Sequence, residues 1–317
     1  MKLSFVIPLY NCLPLTQAML ASLRATLPSG LAHEIIFVDD GSTDGTREWL
    51  ATLANPPFRV VLNKKNLGYA GANNRGATLA RGEFIALLNN DLILTPRWLK
   101  PMLDLHTRLG PRAGLVGNVQ LNARTGALDH TGIFINHKGI PEHDRTPVSD
   151  CRPRGRNWRD VDLVTGACML VRRELWQQLG GFDQRYHNGC EDVDLCFRAK
   201  AAGHVNAVAL NSVIFHHISA SPGRKIRDEE NCYRLTLRWR DELARLGLPA
   251  WCRQFLEGDL NAATKPSASA SVLAYTLRLR RRPPRIALAG MQAAIAFGLA
   301  RWEKMFGPQR LDNSSPR

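Results

Sequence analysis

The N-terminal part of the chain alternates between short apolar runs and longer segments whose apolar residues recur at helical spacing. A short continuous run rich in β-branched residues favours a buried strand. The predicted strands are Lys2–Leu9, Glu34–Val38, Phe58–Leu62 and Glu83–Leu88, and the predicted helices are Leu15–Thr26, Thr43–Leu53 and Asn73–Ala80. Strand and helix alternate about every 25 residues, which predicts an α/β fold with a mostly parallel central sheet and helices on both faces.

The middle of the chain has a less regular pattern. Leu115–Val119 is a predicted strand, and 124–158, rich in Gly, Pro, His and Arg, is a predicted irregular insertion. Further on, the pattern predicts an apolar segment Asp162–Arg172, helices Arg173–Leu179 and Glu191–Ala202, and a last strand Asn206–Phe215. We therefore expect a domain over 1–225, made of a first half 1–115 and a second half 116–225.

Residues 226–317 are predicted to form a helical and basic C-terminal extension. It comprises a long amphipathic helix Arg227–Leu246, a Ser/Ala/Pro linker Lys265–Ser271, and an arginine cluster over 278–285 before an apolar helix Ile286–Trp302. That helix is about 25 Å long, which is marginal for a hydrocarbon core of about 30 Å. The arginines favour a helix lying at an anionic membrane surface. The alternative is a helix packed on the first domain or on a second subunit.

Composition and charge narrow the class of protein. Of 317 residues, 44% are hydrophobic and 22% are charged, which excludes wholesale disorder. The formal net charge is +14, and residues 231–317 carry 15 Lys/Arg against six Asp/Glu. Such a tail suits nucleic acid, an anionic membrane or acidic ligands. The N-terminus lacks a cleavage-site pattern, and the seven cysteines include no CxxC pair. We therefore expect a cytoplasmic location. Peripheral association with the inner face of the cell membrane is left open.

Polar clusters follow several predicted strands or begin a predicted helix. They are Asp39-Asp40-Gly41-Ser42, Asn89-Asn90-Asp91, Glu191-Asp192 and His216-His217. In open α/β sheets, ligands bind beyond the carboxyl ends of the strands. Each cluster taken alone is equally consistent with a turn, a helix cap or a structural histidine.

The order of these clusters resembles an inverting glycosyltransferase of family 2 with the Rossmann-like GT-A fold, particularly its rhamnosyltransferase-like bacterial members. The matching stretches are FVIPLYN at 5–11, IIFVDDGSTDGT at 35–46, NLGYAGANNRG at 66–76, ALLNNDLILTPRWL at 86–99, TGACMLVRRELWQQLGGFD at 165–183 and EDVDLCFRAKAAGH at 191–204. The resemblance covers about residues 1–220 and leaves the tail outside it.

The resemblance implies a nucleotide pocket and a divalent cation, Mg²⁺ or Mn²⁺. The implied nucleotide-binding residues are Pro8, Tyr10, Asp39, Asp40, Asn66, Gly71 and Asn90. Asp91 matches the last acidic residue of the family's metal-binding motif, whereas Asn89 replaces its first aspartate. His216 is the implied second metal ligand, with His217 as the alternative.

The implied catalytic base is Asp192, flanked by Glu191. It would take the proton of an acceptor hydroxyl as that hydroxyl attacks the anomeric carbon. The implied donor is a UDP- or dTDP-sugar, with dTDP-rhamnose as the leading candidate, and the acceptor is a polysaccharide or a lipid-linked glycan. Asp183 is expected to be structural. Trp158, Trp176 and Tyr186 are candidates for stacking on sugars, with core packing favoured for Trp176.

Two other functions are consistent with parts of the sequence. One is a non-enzymatic protein that binds nucleic acid or a membrane surface, suggested by the net charge. The other is a nucleotidyltransferase with the same nucleotide-binding half. The basic excess lies beyond a complete set of catalytic motifs, and the Glu191-Asp192 motif favours glycosyl transfer. We therefore expect no nucleic-acid partner.

Overall fold

The computed structural model describes residues 1–53, 55–152, 155–217, 227–259 and 266–308. The chain forms two compact units. Unit 1 comprises Met1–Ile133 and His143–Arg227, and unit 2 comprises Phe134–Glu142 and Asp228–Arg317. The short segment 134–142 of the predicted insertion therefore belongs with the C-terminal helices.

A ten-stranded sheet organises unit 1. Its strands are β1 (Leu3–Leu9), β2 (His33–Asp39), β3 (Phe58–Leu62), β4 (Phe84–Leu88), β5 (Leu92–Leu94), β6 (Ala113–Asn122), β7 (Leu128–His130), β10 (Trp158–Asp160), β11 (Cys168–Arg172) and β12 (Val205–His216). The main path runs β10-β12-β6-β11-β4-β1-β2-β3, with β5 on β12 and β7 on β6. The β4-β1-β2-β3 block and the β6–β12 pair are parallel. β11 joins the two parallel regions through antiparallel pairing on both sides.

Helices cover both faces of this sheet, as the sequence predicts. They are α1 (Leu13–Thr26), α2 (Thr46–Ala51), α3 (Gly68–Leu79), α4 (Leu99–Leu109), α5 (Arg173–Leu179) and α6 (Glu191–Ala201). The main apolar core joins alternate residues of β1 and β2, such as Phe5 and Phe37, to buried residues of α1, α2 and α4. On the opposite face, α3 lies so close to the sheet that a Cβ on Gly76 would stand 2.5 Å from Val6.

The alternation of strands and helices is confirmed, with β3 and α5 at the predicted residues. The interpretation of 124–158 as wholly irregular was wrong. It contains β7, a small separate sheet of β8 (Ile133–Ile135) and β9 (Pro141–His143), and the first residue of β10. These strands have only three residues each, which is too short for a hydrophobic period to be recognised.

The C-terminal segment of unit 2 is helical wherever the structure describes it as regular. Its helices are α7 (Asp228–Asp259), α8 (Pro266–Thr276) and α9 (Arg285–Phe306). The predicted linker was wrong for its described part, because Pro266 begins a helix, a position that suits proline. A Cβ on Gly290 of α9 would lie 2.0 Å from the Trp251 ring of α7, so the two helices touch closely there. None of the described helices is both long and apolar enough to span a membrane.

Candidate active site

A cleft of about 140 Å³ opens in unit 1 where β1, β2 and β4 end. This is where ligands bind in open parallel sheets. Eight of the residues predicted from the sequence line it, namely Pro8, Tyr10, Asp40, Asn66, Asn90, Asp91, Glu191 and Asp192. Three predicted residues, Asp39, Gly71 and His216, are not among the lining residues.

The adjacent carboxylates Asp39 and Asp40 have different surroundings. Asp39 is fully buried and pairs with Arg47 at 2.7 Å, while it also accepts hydrogen bonds from the backbone amides of Gly41 and Ser42. It therefore fixes the turn that follows β2. A role of Asp39 in nucleotide binding stays a prediction, and its contacts in the structure stabilise the turn.

Asp40 connects the end of β2 to the start of α3. One oxygen accepts hydrogen bonds from Asn63 Nδ2 at 2.6 Å and from the Leu67 amide at 2.8 Å. The other accepts from the Gly68 amide at 2.9 Å. A carboxylate at a helix N-terminus satisfies amides that have no partner within the helix. This explains why α3 begins at Gly68, five residues before the predicted Asn73.

The glycines of α3 serve close approach of the backbone. A Cβ on Gly71 would lie 2.7 Å from Leu67 Cβ and 3.5 Å from Gln184 Oε1, so this position has no room for a side chain. Gly68, at φ +77°, lines the cleft in its place. Asn66 also lines the cleft and accepts a hydrogen bond from the Gly68 amide.

Two predicted nucleotide contacts lie where β1 and β4 end. Tyr10 is 46% exposed, so its ring is available at the cleft. Asn90 is anchored to α1, because its Nδ2 donates a hydrogen bond of 2.9 Å to Thr16 Oγ1. The Tyr10 ring is thus exposed to the cleft, and the Asn90 amide is held in a fixed orientation.

A candidate cation site lies where β4 and β12 end and includes Asn89, Asp91 and His216. Nε2 of His216 lies 3.2 Å from Oδ1 of Asp91, and both side chains are nearly completely buried. This close contact is not a hydrogen bond, and Oδ1 of Asn89, Oδ1 of Asp91 and both ring nitrogens of His216 have no hydrogen-bond partner among the described residues. Buried polar atoms without a partner are costly. Carboxylate and amide oxygens with an imidazole nitrogen are a donor set that fits a divalent cation.

The β-ladder explains why His216 and not His217 faces Asp91. β12 pairs with β5, which places His216 opposite Leu92. The next residue, His217, uses its backbone amide to donate a hydrogen bond of 3.0 Å to the Asp91 carbonyl. The choice between the two histidines as ligand stays a prediction, and this geometry favours His216.

Asp192 is held at the start of α6 by the backbone on two sides. Oδ2 accepts a hydrogen bond of 2.8 Å from the Gly166 amide, and Oδ1 accepts one of 2.8 Å from the Val193 amide. The Tyr69 hydroxyl donates to the Gly166 carbonyl at 2.8 Å. These contacts fix the orientation of the Asp192 carboxylate.

The two other carboxylates at the start of α6, Glu191 and Asp194, make different contacts. Glu191 is 5% exposed and accepts a hydrogen bond of 2.7 Å from the Gly189 amide. Asp194 is fully buried and pairs with Arg198 at 2.8 Å. Asp192 is therefore the acid of this cluster that best combines exposure to the cleft with a fixed orientation.

The lining of the cleft is strongly negative. It includes four carboxylates and, among the described lining residues, no Lys or Arg. Beside it, burial raises the pKa of the Cys12 thiol, and the charges of Asp44 and Asp91 raise this pKa further. A diphosphate entering such a field needs a cation to offset its charge.

The other predicted residues lie outside this cleft. Asp183 pairs with Arg185 at 2.6 Å, as its expected structural role requires. Trp176 is buried and packs edge-on against Phe182 with ring centroids 5.0 Å apart. Trp158 packs against the main core, and Tyr186 is 2% exposed. Stacking of these rings on a sugar stays a prediction.

Several lining residues were not singled out from the sequence. They are Leu9, Gly68, Tyr69, Ala72, Asn89, Thr165, Gly166, Ala167 and Asn188, and Asn89 was considered only as the position where an aspartate is missing. Thr165–Ala167 begins a stretch quoted for the resemblance, but its TGA sequence has no charged or titratable group to indicate a role. Asn188 accepts a hydrogen bond from the Tyr69 amide at 2.9 Å across the cleft.

The family model described as glycosyl transferase family 2 matches residues 4–180, which is more than half of the chain. The chain belongs to glycosyltransferase family 2. This family-2 chain is 31% identical, over 68% of its length, to an N-acetylglucosaminyl-diphospho-decaprenol L-rhamnosyltransferase of Mycobacterium tuberculosis, 76% of which it covers. It is 30% identical to an O-antigen biosynthesis protein of Myxococcus xanthus over 69% of its length.

The family-2 chain spans only part of some relatives. It covers 18% of the Myxococcus protein and 26% of an uncharacterized protein of Sinorhizobium fredii that is 31% identical over 70% of the chain.

Among solved structures, the chain resembles a mannosyltransferase of Pyrobaculum calidifontis in complex with GDP-Man and Mn²⁺. The TM-score is 0.57 and the identity 19%, with coverage of 97% of this chain and 88% of that one. The structure of GalNAc-T7 with UDP, GalNAc and Mn²⁺ matches with a TM-score of 0.63 and 16% identity, with coverage of 95% of this chain and 57% of that one. These similarities confirm the GT-A fold.

Proposed function

We propose that this chain transfers a sugar from a UDP- or dTDP-sugar to a hydroxyl of a polysaccharide or lipid-linked glycan, with inversion at the anomeric carbon. One observation carries the proposal. Asp40, Asp91 and Asp192 come from three distant parts of the sequence and line the same cleft. The resemblance assigns them to the nucleotide, the cation and the acceptor proton respectively, which are the three tasks that this reaction needs.

Asp192 is the proposed general base. An alcohol is a weak nucleophile, so a carboxylate within hydrogen-bond reach must remove its proton as the attack proceeds. The two backbone amides that bind Asp192 fix its orientation before the acceptor arrives. Glu191 supports the same turn through the Gly189 amide and is proposed to flank the base.

The donor would bind along the opposite wall of the cleft. Asp40 and Asn66 would contact the base and ribose together with Pro8, Tyr10 and Asn90. Asn89, Asp91 and His216 would hold the divalent cation, Mg²⁺ or Mn²⁺. When bound, the cation supplies a Lewis acid that neutralises the diphosphate leaving group.

The donor and acceptor classes rest on the relatives. One relative carries L-rhamnosyltransferase and a diphospho-decaprenol in its name, and another carries O-antigen biosynthesis. We propose dTDP-rhamnose as the leading donor and a cytoplasmic reaction on a glycan at the inner face of the membrane. No described feature favours a nucleic-acid ligand or nucleotidyl transfer over this reaction.

We further propose that the tail binds an anionic membrane surface. The described residues of unit 2 include an exposed cluster of arginines over 278–285 beside exposed apolar side chains. Leu277 is 59% exposed and Leu279 is 78% exposed. Residues 277–284 lie in the connection between α8 and α9 and not in a helix. Each arginine near an anionic leaflet contributes about 1 kcal/mol.

A vesicle assay tests the tail. The triple variant Arg280→Glu, Arg281→Glu, Arg282→Glu should weaken co-sedimentation with anionic vesicles at low salt by at least about 100-fold. The matched control reverses three exposed arginines of unit 1, Arg108, Arg112 and Arg124, and changes the net charge equally. Equal losses in both triple variants, or no binding by the unmodified chain, would contradict the membrane proposal.

A donor panel tests the reaction. We expect UDP or dTDP to raise the Tm more in Mn²⁺ than in chelator, because a ligand that binds only the folded state stabilises it. GDP should raise it less. Hydrolysis of the matching sugar nucleotide, and its transfer to a lipid-linked acceptor with inverted configuration by NMR, would complete the assignment. Absence of any nucleotide-dependent shift would refute it.

A further inference from the structure

A second group of metal-ligating side chains lies outside the cleft, on β7 and β9. Asp129, His130 and His143 each offer one ligand atom, and these three atoms lie within 4.8 Å of one another. Asp129 and His130 are 3% and 1% exposed, while the His143 side chain is 32% exposed. The group is therefore buried on one side and reachable from solvent on the other.

The hydrogen bonding of this group is incomplete. Asp129 Oδ1 lies 3.2 Å from His143 Nδ1 and 3.7 Å from the exposed Arg145, but Oδ2 has no hydrogen-bond partner among the described residues. The same holds for His130 Nε2 and for Oε1 of Gln120, the residue paired with His130 across β6 and β7. Buried orphan atoms of this kind require an explanation, such as an ion that they bind.

We propose that Asp129, His130 and His143 form a Zn²⁺ site of their own, beside the cation site of the cleft and not part of it. β6 pairs with both β7 and β12, so this group lies near His216. Two imidazoles and one carboxylate are ligands that zinc accepts, and three protein ligands leave a fourth position open to water. The partly exposed His143 provides the route by which the ion enters. If His130 binds through Nε2, Nδ1 carries the ring proton and gives up its 3.3 Å hydrogen bond from the Gly132 amide.

The proposed ion would fasten the short strands of the insertion. Asp129 and His143 are 14 positions apart along the chain, and β7 and β9 contain only three residues each. Such short strands supply few backbone hydrogen bonds of their own. A metal that joins two points of a loop removes conformational freedom from the unfolded chain and stabilises the folded one.

Zinc binding by the full chain tests this proposal, with Asp91→Asn as the background because it disables the cation site of the cleft. We expect one Zn²⁺ per chain by elemental analysis after removal of loosely bound ions. Cobalt substitution should give the visible absorption of a low-coordinate Co²⁺ site. In this background, His143→Gln and Asp129→Asn should each weaken zinc affinity by at least about tenfold, the scale of losing a ligand or its orienting partner.

The control is His204→Asn, which removes a histidine outside the group. His143 is partly exposed, so its substitution leaves the buried residues in place, and circular dichroism verifies the fold. Zinc retained by His143→Gln, zinc lost with Asp91→Asn alone, or no zinc bound by any variant would overturn the proposal. The readout is metal content, so it stands or falls independently of glycosyl transfer.

Discussion

Replacing Asp192 by asparagine separates proton transfer from binding. The amide has nearly the same size, but it cannot accept a proton. We expect transfer at saturating substrate to fall by roughly 10²–10⁴, the usual contribution of a general base. Donor affinity should change little, because the proposed donor contacts lie at the ends of β1, β2 and β4 and just before α3 rather than on α6.

The structure also predicts a measurable cost in stability. Asp192 accepts hydrogen bonds from both the Gly166 and the Val193 amides. Asparagine has one oxygen, so one amide would face an NH₂ group. An unsatisfied buried donor costs about 1–3 kcal/mol, which corresponds to a fall in Tm of roughly 2–12 °C. This is small enough for the variant to remain folded at 25 °C.

The assay measures kcat with a radiolabelled or HPLC-detected product and measures donor binding separately by calorimetry. The matched control is Asp183→Asn, which removes a carboxylate paired with Arg185 outside the cleft. We expect the control to keep near-normal turnover. Near-normal turnover of Asp192→Asn would remove Asp192 from the role of base, and an equal loss in both variants would show that the effect is structural.

Three further outcomes follow from the geometry. Asp91→Asn or His216→Ala should abolish the Mn²⁺-dependent part of UDP or dTDP affinity in calorimetry, and the metal assignment fails if Mn²⁺ does not change that affinity in the unmodified protein. Gly76→Ala should cost about 1–3 kcal/mol in denaturant unfolding, because the new methyl group would stand 2.5 Å from Val6; an unchanged midpoint would contradict this packing. Burial lowers the pKa of His106 to about 4. As the pH falls from 6.5 towards 4, only the unfolded chain gains a proton at this residue, so the free energy of unfolding should fall over that range. His106→Gln should lessen this fall in denaturant unfolding.

The local sequence was sufficient for elements whose signal is continuous and apolar. β1, β2 and β4 are buried along nearly all of their length, and their hydrophobic runs predict them closely. β7, β8 and β9 have too few residues to carry a period. α8 begins within a Ser/Ala/Pro segment that also suits a linker, so composition alone could not distinguish the two.

The candidate site was predictable as a set of motifs but not as a set of contacts. Eight of eleven predicted residues line one cleft. The remaining lining residues, such as Tyr69 and Asn188, come from a helix N-terminus and a loop, and carry no chemical signature in the sequence. Their proximity depends on how α3 packs against the segment before α6.

By itself, then, the sequence determined the family, the α/β class and the strand ends at which polar residues gather. Tertiary structure decided between neighbours. It turned Asp40 rather than Asp39 into the cleft and His216 rather than His217 towards Asp91. It also placed Gly71 against Leu67, where a side chain has no room, and it brought Asp129 within reach of His143. The physical reason is that adjacent residues in an extended chain point to opposite sides, and only the pairing and packing of the strands determine which side becomes the site.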